Sequence, residues 1–427
     1  MSIAHDPADP ARLDALRRRT VRALVLGVAL GSTGHIAALT IAAIVAEQVS
    51  GSKALGGAPA AAVVLGAALG ATVLSSLMAR RGRRIGLATG YATGVAGAVI
   101  AIAGVVGSSL PVLLAGSVLI GFGNSSNQLS RYAAADMFPP DRRATAIGTV
   151  VWAATVGAVI GPNLIDPSGD VAAMLGLPRF AGPYLVPILV VTIAAVASFT
   201  LLRPDPYALA DRSSSEHDSA AGPAPLADVV RRPAVITAIL SLVASMFVMV
   251  LIMAMTPLHM NDHGHDLGAI GLVLSGHTFG MYALAPLSGR LTSRFGCIRV
   301  IYAGTAVIAL AGLISAAAPA ASDELLFVAL FLLGFGWNLG FVAGSAMLSG
   351  GLALAERTRV QGLVDGLIWS TAAIASLGSG FLVAGAGYAV LGVLGAIIVV
   401  VPAAVIAYRR RSLTEEVPSA VFEPIAD

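Results

Sequence analysis

The chain has few charged residues and almost no cysteine for its length of 427 residues. Charged residues make up 11% of the sequence, whereas a soluble domain contains roughly 25%. Cys297 is the only cysteine, which excludes a disulfide framework, an iron–sulfur cluster and a cysteine-based zinc site. The sequence also lacks a glycine-rich phosphate-binding loop and a Ser/His/Asp constellation, so we expect neither a cofactor nor an enzyme.

Apolar residues make up 57% of the chain, and they gather in blocks of about 20 residues or more, long enough to cross a bilayer as helices. Backbone amides must be hydrogen-bonded inside lipid, and the blocks are too long and too uniformly apolar for barrel strands. The sequence therefore predicts an all-α membrane protein. We predict twelve spans, at approximately 23–46, 58–79, 85–107, 110–132, 144–165, 182–202, 233–257, 267–290, 298–318, 324–350, 358–384 and 386–408.

The distribution of basic residues predicts the orientation. If the N-terminus lies inside, only Lys53 and Arg179 of the 26 basic residues fall in outer segments. Such a bias is the positive-inside rule, and it predicts a multi-pass protein of the cell (inner) membrane with both termini in the cytoplasm. The excess of basic residues is then a topology signal, so we expect the lipid bilayer as a partner and no nucleic acid.

The sequence divides into two halves that repeat each other. A polar stretch over 204–232 has linker composition and separates six predicted spans in 23–203 from six in 233–408, with tails at 1–22 and 409–427. Arg80-Arg81-Gly82 in the first half corresponds to Arg294-Phe295-Gly296 in the second, and the pattern Leu-x-Gly-Phe-Gly ends at Gly123 and again at Gly336. The sequence therefore predicts two copies of one membrane unit of six spans.

Two six-helix halves joined by a polar linker resemble the major facilitator superfamily over nearly the whole chain. The superfamily's loop motif G-x-L-x-D-R-x-G is similar to 289–296 and, more weakly, to 75–82, although Ala79 and Ser293 replace its aspartate. Residues 157–162 resemble the G-x-x-x-G-P motif of the family's antiporters. The resemblance implies two pseudo-symmetric halves that work by alternating access, a monomer, and gating roles for Gly82, Gly157, Gly161, Pro162, Arg294 and Gly296.

A methionine and histidine pattern suggests copper as the cargo. Met249 and Met253 share one helical face, and so do His277 and Met281 on the next span. Thioether and imidazole ligands select Cu(I), and at 1.5 Å rise per residue Met249 and His277 lie at similar depth, as in a ladder that hands an ion inward. The four residues also resemble the motif pair of CcoA-like copper importers. Alternatively, the methionines only fill apolar space.

Polar and aromatic residues inside the spans favour an organic solute as the alternative cargo, because such residues mark transport pathways. The branch with copper importers also includes members that resemble riboflavin importers. Asp365 binds a cation or a proton, or pairs with Arg131 or Arg359. The histidines of the outer segment 258–266 capture metal or are ordinary loop residues. The predicted cavity residues are His35, Asn124, Asn127, Gln128, Trp337, Asn338, Asp365 and Trp369.

Overall fold

The computed structural model describes residues 10–51, 55, 58–208, 225–265, 267–319, 322–350, 352 and 354–408. Within these residues the chain is helical and has no strand. The helices are α1 Pro10–Thr40, α2 Ala42–Ser50, α3 Ala58–Arg81, α4 Arg83–Val106, α5 Leu110–Ala135, α6 Pro140–Trp152, α7 Ala154–Asn163, α8 Ile165–Met174, α9 Gly182–Leu201, α10 Leu226–Val230, α11 Pro233–Met253, α12 Thr256–Asp262, α13 Leu267–Tyr282, α14 Ala285–Phe295, α15 Cys297–Ala317, α16 Asp323–Gly350, α17 Leu354–Ala386 and α18 Ala389–Tyr408.

The helices confirm the predicted all-α architecture of twelve spans in two halves. Ten helical stretches of the described chain are long and apolar enough to cross a membrane. The other two spans are α5 and the pair α13 and α14. α5 carries the polar residues Asn124, Asn127, Gln128 and Arg131. The second of these spans is interrupted between Tyr282 and Ala285.

Several spans consist of two helices in succession. The fifth span breaks at Ala153, between α6 and α7, and the seventh continues from α11 into α12. α7 ends at Asn163, directly after Pro162, because proline has no amide hydrogen to continue the helical bonding pattern. The break at Ala153 lies four residues before the predicted gating segment 157–162.

The N-terminal boundary differs from the predicted one. α1 begins at Pro10, so about half of the predicted tail over 1–22 is the first part of the first helix. Leu13 and Leu16 on this part pack against a buried apolar cluster, which extends the helix beyond the membrane-spanning residues. The predicted linker contains α10, while residues 209–224 and the C-terminal tail 409–427 lie outside the described residues.

The repeat is visible in the backbone. Gly82 joins α3 to α4 with φ of 89° and ψ of 165°, and Gly296 joins α14 to α15 with φ of 82° and ψ of 156°. Side chains other than hydrogen rarely allow such positive φ values, so the glycine at each equivalent turn has a conformational reason. The Asp205 carboxylate accepts hydrogen bonds from the backbone N–H of Arg83 (3.1 Å) and Arg84 (2.9 Å) at the first of these turns.

The two halves contact each other mainly at one end of the bundle, which we call the linker end because α10 and the chain on both sides of the linker lie there. α3 packs against α17 and α6 packs against α14 across the interface. Hydrogen bonds also join the halves there, such as that between Thr145 and Ser293 (3.0 Å). The bundle is closed at this end.

The two ends of α17 differ in the same way in how closely they approach the first half. A Cβ added to Gly362 would overlap the Ser75 side chain of α3, and one added to Gly366 would lie 3.1 Å from Oγ1 of Thr72. Further along the helix, a Cβ on Gly378 or Gly380 would meet no atom within 4 Å. The halves therefore touch through small residues near the linker end and separate toward the opposite end.

Labelling can test the predicted orientation. In a Cys297→Ser background, we expect a membrane-impermeant maleimide to label Leu175→Cys on intact cells, because Leu175 is exposed at the end opposite the linker and the positive-inside rule places that end outside. Ser213→Cys in the linker should be labelled only after permeabilisation. The reverse pattern would show that the predicted orientation is wrong.

Candidate functional site

A cavity of about 100 Å³ lies between the two halves. One wall comes from α1 and α5 of the first half, and the opposite wall comes from α13, α16 and α17 of the second half. Five of the residues predicted from the sequence meet here, although they come from three distant parts of the chain. These are His35, Asn124, Asn127, Gln128 and Trp369.

The first-half wall is a chain of amides held by hydrogen bonds. The hydroxyl of Tyr91 donates to Oδ1 of Asn127 (3.0 Å), and Nδ2 of Asn127 donates to Oδ1 of Asn124 (2.8 Å). These bonds fix the orientation of both amides in the absence of solute. Nδ1 of His35 is buried beside them without a hydrogen-bond partner among the described residues, and a buried unbonded nitrogen costs free energy unless a ligand or water binds it.

The second-half wall is aromatic. Tyr282, Phe341 and Trp369 line the cavity. Trp337 lies behind this wall, because its ring stacks on Phe341 with centroids 4.5 Å apart and meets the edge of Tyr282 at 6.1 Å. Trp337 is 3% exposed, so it supports the wall rather than forming it. An amide face thus opposes an aromatic face across one cavity.

A buried ion pair forms the floor of the cavity. Nη2 of Arg131 on α5 lies 2.6 Å from Oδ1 of Asp365 on α17, and the two side chains are 1% and 2% exposed. Nε of Arg131 also donates to Oγ of Ser345 (3.1 Å), and its guanidinium lies 4.2 Å from the ring centroids of Phe341 and Tyr132. Of the two alternatives for Asp365, the geometry shows the pairing with Arg131, and this pair joins the halves.

A second ionic layer lies between the floor and the linker end. The carboxylate of Asp136 binds Nε of Arg83 (2.9 Å) within the first half and Nη1 of Arg357 (3.3 Å) in the second. Nη2 of Arg83 donates to Oε1 of Gln361 (2.8 Å), and Nη1 of Arg143 donates to the carbonyl of Ser349 (2.5 Å). Buried charges need such partners, so opening this end requires the ion pair between Asp136 and Arg357 and the hydrogen bonds of Arg83 and Arg143 to the second half to break together.

The four methionine and histidine residues of the proposed copper ladder do not line this cavity. The cavity lining contains none of Met249, Met253, His277 and Met281. Met249 belongs to the apolar core of the second half, and Met253 and Met281 pack against that core. Nδ1–H of His277 donates to the carbonyl of Leu330 (2.8 Å), which turns the ring toward α16. α11, which carries Met249 and Met253, packs on α16, α17 and α18, whereas α13, which carries His277 and Met281, packs on α16. The main neighbour that these two helices share is therefore α16.

The remaining predicted residues have structural surroundings. Asn338 is fully buried, accepts a hydrogen bond from the Ser288 hydroxyl and donates to the carbonyl of Met281 (2.6 Å), so it fastens α16 to α13 and α14 instead of facing the cavity. A Cβ on Gly157 would lie 2.6 Å from the Thr33 nitrogen of α1. Close packing of α7 on α1 therefore explains this glycine. Gly161 also contacts α1, and Arg294 is exposed beside Phe295.

The outer histidines form a small cluster within the second half. The rings of His259 and His263 have centroids 4.4 Å apart, and His259 stacks on Tyr388 at 4.2 Å. His265 pairs with Asp323 at the start of α16. In the described part of the chain no group of three His, Cys, Asp or Glu residues is arranged to hold a metal ion, so metal capture by this segment stays a prediction without geometric support.

The sequence alone does not identify the lining residues Tyr282, Phe341 and Arg131, or Tyr91, which bonds Asn127. A tyrosine in an apolar span, such as Tyr91, looks like an ordinary core residue. Tyr282 and Phe341 became part of the site only through the packing of α13 and α16. Arg131 was treated as a partner for Asp365, although its position three and four residues after Gln128 and Asn127 puts it on the same helical face and could have identified it.

Known proteins with similar sequences and folds share this architecture. The sequence model of the Major Facilitator Superfamily matches residues 24–268 and 237–425. The chain is 35% identical to the uncharacterized MFS-type transporter YdeG of Bacillus subtilis, over 92% of each chain. It is 30% identical to the riboflavin transporter RfnT of Brucella anthropi, over 87% of this chain and 90% of that one.

Solved structures agree at the level of the fold. A variant of the Escherichia coli fucose:proton symporter FucP superposes with a TM-score of 0.70 at 17% identity, over 92% of this chain and 99% of that one. The human organic anion transporter MFSD10 gives a TM-score of 0.70 at 14% identity, over 91% of this chain and 99% of that one. The chain belongs to the major facilitator superfamily of membrane transporters.

Proposed function

We propose that the protein carries a planar heteroaromatic solute of the riboflavin type across the membrane by alternating access. The observation that supports this cargo is the pairing of an amide wall with an aromatic wall. Flat ring systems stack on aromatic side chains, while Asn124, Asn127 and Gln128 supply donors and acceptors for ring nitrogens and carbonyls. The relationship to a riboflavin transporter agrees with this chemistry.

The conformation described here corresponds to one end of the transport cycle. The linker end is closed, so under the predicted orientation the cavity faces outward. Its volume of about 100 Å³ is below the roughly 300–1,000 Å³ of typical solute sites. A solute of riboflavin size therefore needs the halves to move further apart at the end opposite the linker before they close around it. Rocking of the halves then alternates access.

Copper transport has less support than this proposal. The four methionine and histidine residues do not line the cavity, and a relative whose name gives a cargo is a riboflavin transporter. Packing accounts for Met249 and Met253, because methionine fills irregular apolar space. Copper is retained as an outcome that the following experiment can detect.

Substitution of Trp369 tests the proposed cargo. In purified protein, we expect riboflavin to raise the unfolding temperature by mass action and its flavin fluorescence to report binding. Trp369→Ala should weaken binding by about tenfold or more, since stacking on one aromatic side chain contributes about 1–3 kcal/mol. Trp152→Ala is the matched control, because Trp152 is 42% exposed on α6 and does not line the cavity.

Two outcomes would contradict the proposal. Equal binding by the Trp369→Ala and Trp152→Ala variants would exclude stacking at the cavity. If riboflavin has no effect while Cu(I) stabilises the protein, and if His277→Leu or Met249→Leu lowers copper accumulation in cells, the cargo is copper. Unchanged copper accumulation in those variants together with a Trp369-dependent solute supports the organic cargo.

A further inference from the structure

A groove of about 390 Å³ lies on the outside of the bundle at the linker end, far from the central cavity. Almost all of its lining comes from one face of α1, because the residues recur at intervals of three and four. α9 contributes its last residue. The lining residues are Ala15, Arg18, Arg19, Arg22, Ala23, Leu26 and Leu201.

Three exposed arginines give the groove a positive charge, and none of them pairs with the carboxylate of a described residue. Arg18, Arg19 and Arg22 form no ion pair or hydrogen bond with any described residue, and the lining contains no acidic side chain. Arg17 differs from them. It pairs with Asp14 (3.7 Å) and lies over the Phe138 ring (5.5 Å). Within the described part of the chain, these three guanidinium groups are therefore available to a ligand.

The groove changes from charged to apolar along the helix. Leu26 lies eight residues beyond Arg18, which corresponds to about 12 Å along the axis at 1.5 Å per residue. Leu26 is 42% exposed and Leu201 is 37% exposed, and both lie further into the predicted first and sixth spans than the arginines do. A ligand that fits has an anionic group at one end and a hydrocarbon chain at the other.

We propose that this groove binds an anionic phospholipid. The phosphate lies against Arg18, Arg19 and Arg22, since guanidinium groups bind phosphate oxygens through charge-assisted hydrogen bonds. One acyl chain follows Leu26 and Leu201 toward the bilayer centre. Basic pockets at the ends of membrane helices recognise lipid headgroups in this way. The bound lipid holds the ends of α1 and α9 together, on the side of the first half that does not face the cavity.

Lipid titration of the purified full-length transporter tests the proposal. Native mass spectrometry and thermal unfolding in detergent are followed while phosphatidylglycerol, or phosphatidylcholine with the same acyl chains, is added. We expect selective binding of phosphatidylglycerol. The variant Arg18→Gln/Arg19→Gln/Arg22→Gln should bind it about 100-fold more weakly, since each surface arginine contributes about 1 kcal/mol toward anionic lipid. Single Arg18→Gln and Arg22→Gln variants should each lose about fivefold.

A charge-matched control separates a built site from general attraction. Arg80→Gln/Arg290→Gln/Arg299→Gln removes the same charge from exposed arginines elsewhere on the linker end, and it should bind phosphatidylglycerol like the wild type. Equal loss in both triple variants would overturn the proposal. Glycerophosphoglycerol and inorganic phosphate, which lack acyl chains, should not bind at the same concentrations. If either binds as tightly as the lipid, the ligand is a free anion and the proposal is wrong.

Discussion

Replacing Asp365 with asparagine is expected to destabilise the protein by about 3–5 kcal/mol, the usual cost of leaving a buried charge without its partner. Arg131 would keep its contacts with Ser345 and with two aromatic rings, but none of these neutralises it. Because the pair joins the halves, the variant should also open the linker end. Thermal unfolding measures the first effect, and solute uptake should fall below the detection limit.

The double variant Arg131→Gln/Asp365→Asn separates the two effects. It leaves no isolated charge in the interior, so most of the lost stability should return. The link between the halves is still missing, however, and uptake should stay low. A cysteine at Ala144, which is 3% exposed at the linker end, should react faster with maleimide in both variants in a Cys297→Ser background. Unchanged reactivity would show that the ion pair does not hold this end closed.

Replacing Gly362 with alanine is expected to shift the conformational equilibrium by about 5- to 150-fold away from the linker-closed state, as a coupling of 1–3 kcal/mol does. The added methyl group would overlap the Ser75 side chain and lie 2.8 Å from the backbone carbonyl of Ala71. Backbone atoms cannot yield as a flexible side chain does, and overpacking of this kind costs about 1–3 kcal/mol. The reactivity of the Ala144 cysteine and the rate of solute uptake report the shift.

Gly378→Ala provides the matched control on the same helix. A Cβ at Gly378 would meet no atom within 4 Å, and alanine in a helix is favoured over glycine by about 0.5–1 kcal/mol. We therefore expect unchanged or slightly higher stability and the cysteine reactivity of the parent protein. If Gly362→Ala and Gly378→Ala behave alike, the close approach of α3 and α17 does not control closure.

Properties that arise within one helix could be read from the sequence. The spans were predicted because a chain in lipid must satisfy its backbone hydrogen bonds internally, which makes apolar length sufficient. Helical periodicity alone places Asn124, Asn127 and Gln128, all predicted cavity residues, on one face of α5. Because of these polar residues, α5 is not among the ten helical stretches that are apolar enough to cross a membrane by composition alone. The polar residues of this helix therefore mark the candidate site.

Partners of buried side chains could not be read in this way. Trp337 and Asn338 are neighbours in sequence, yet one stacks on Phe341 and the other binds Ser288, because successive residues of a helix point about 100° apart. Asp365 had two candidate arginines, and Arg131 is its partner because α5 and α17 meet at the floor of the cavity.

The sequence by itself determined the helices, their division into two repeated halves and the presence of an amide face on α5, since each depends on hydrophobicity or on the helical period. Only the tertiary structure decided which residues meet. It placed Trp369 opposite Asn124 and His35, and it left the four methionine and histidine residues outside the lining of that cavity. These contacts join residues more than 200 positions apart, and they depend on how whole helices pack, which local spacing does not encode.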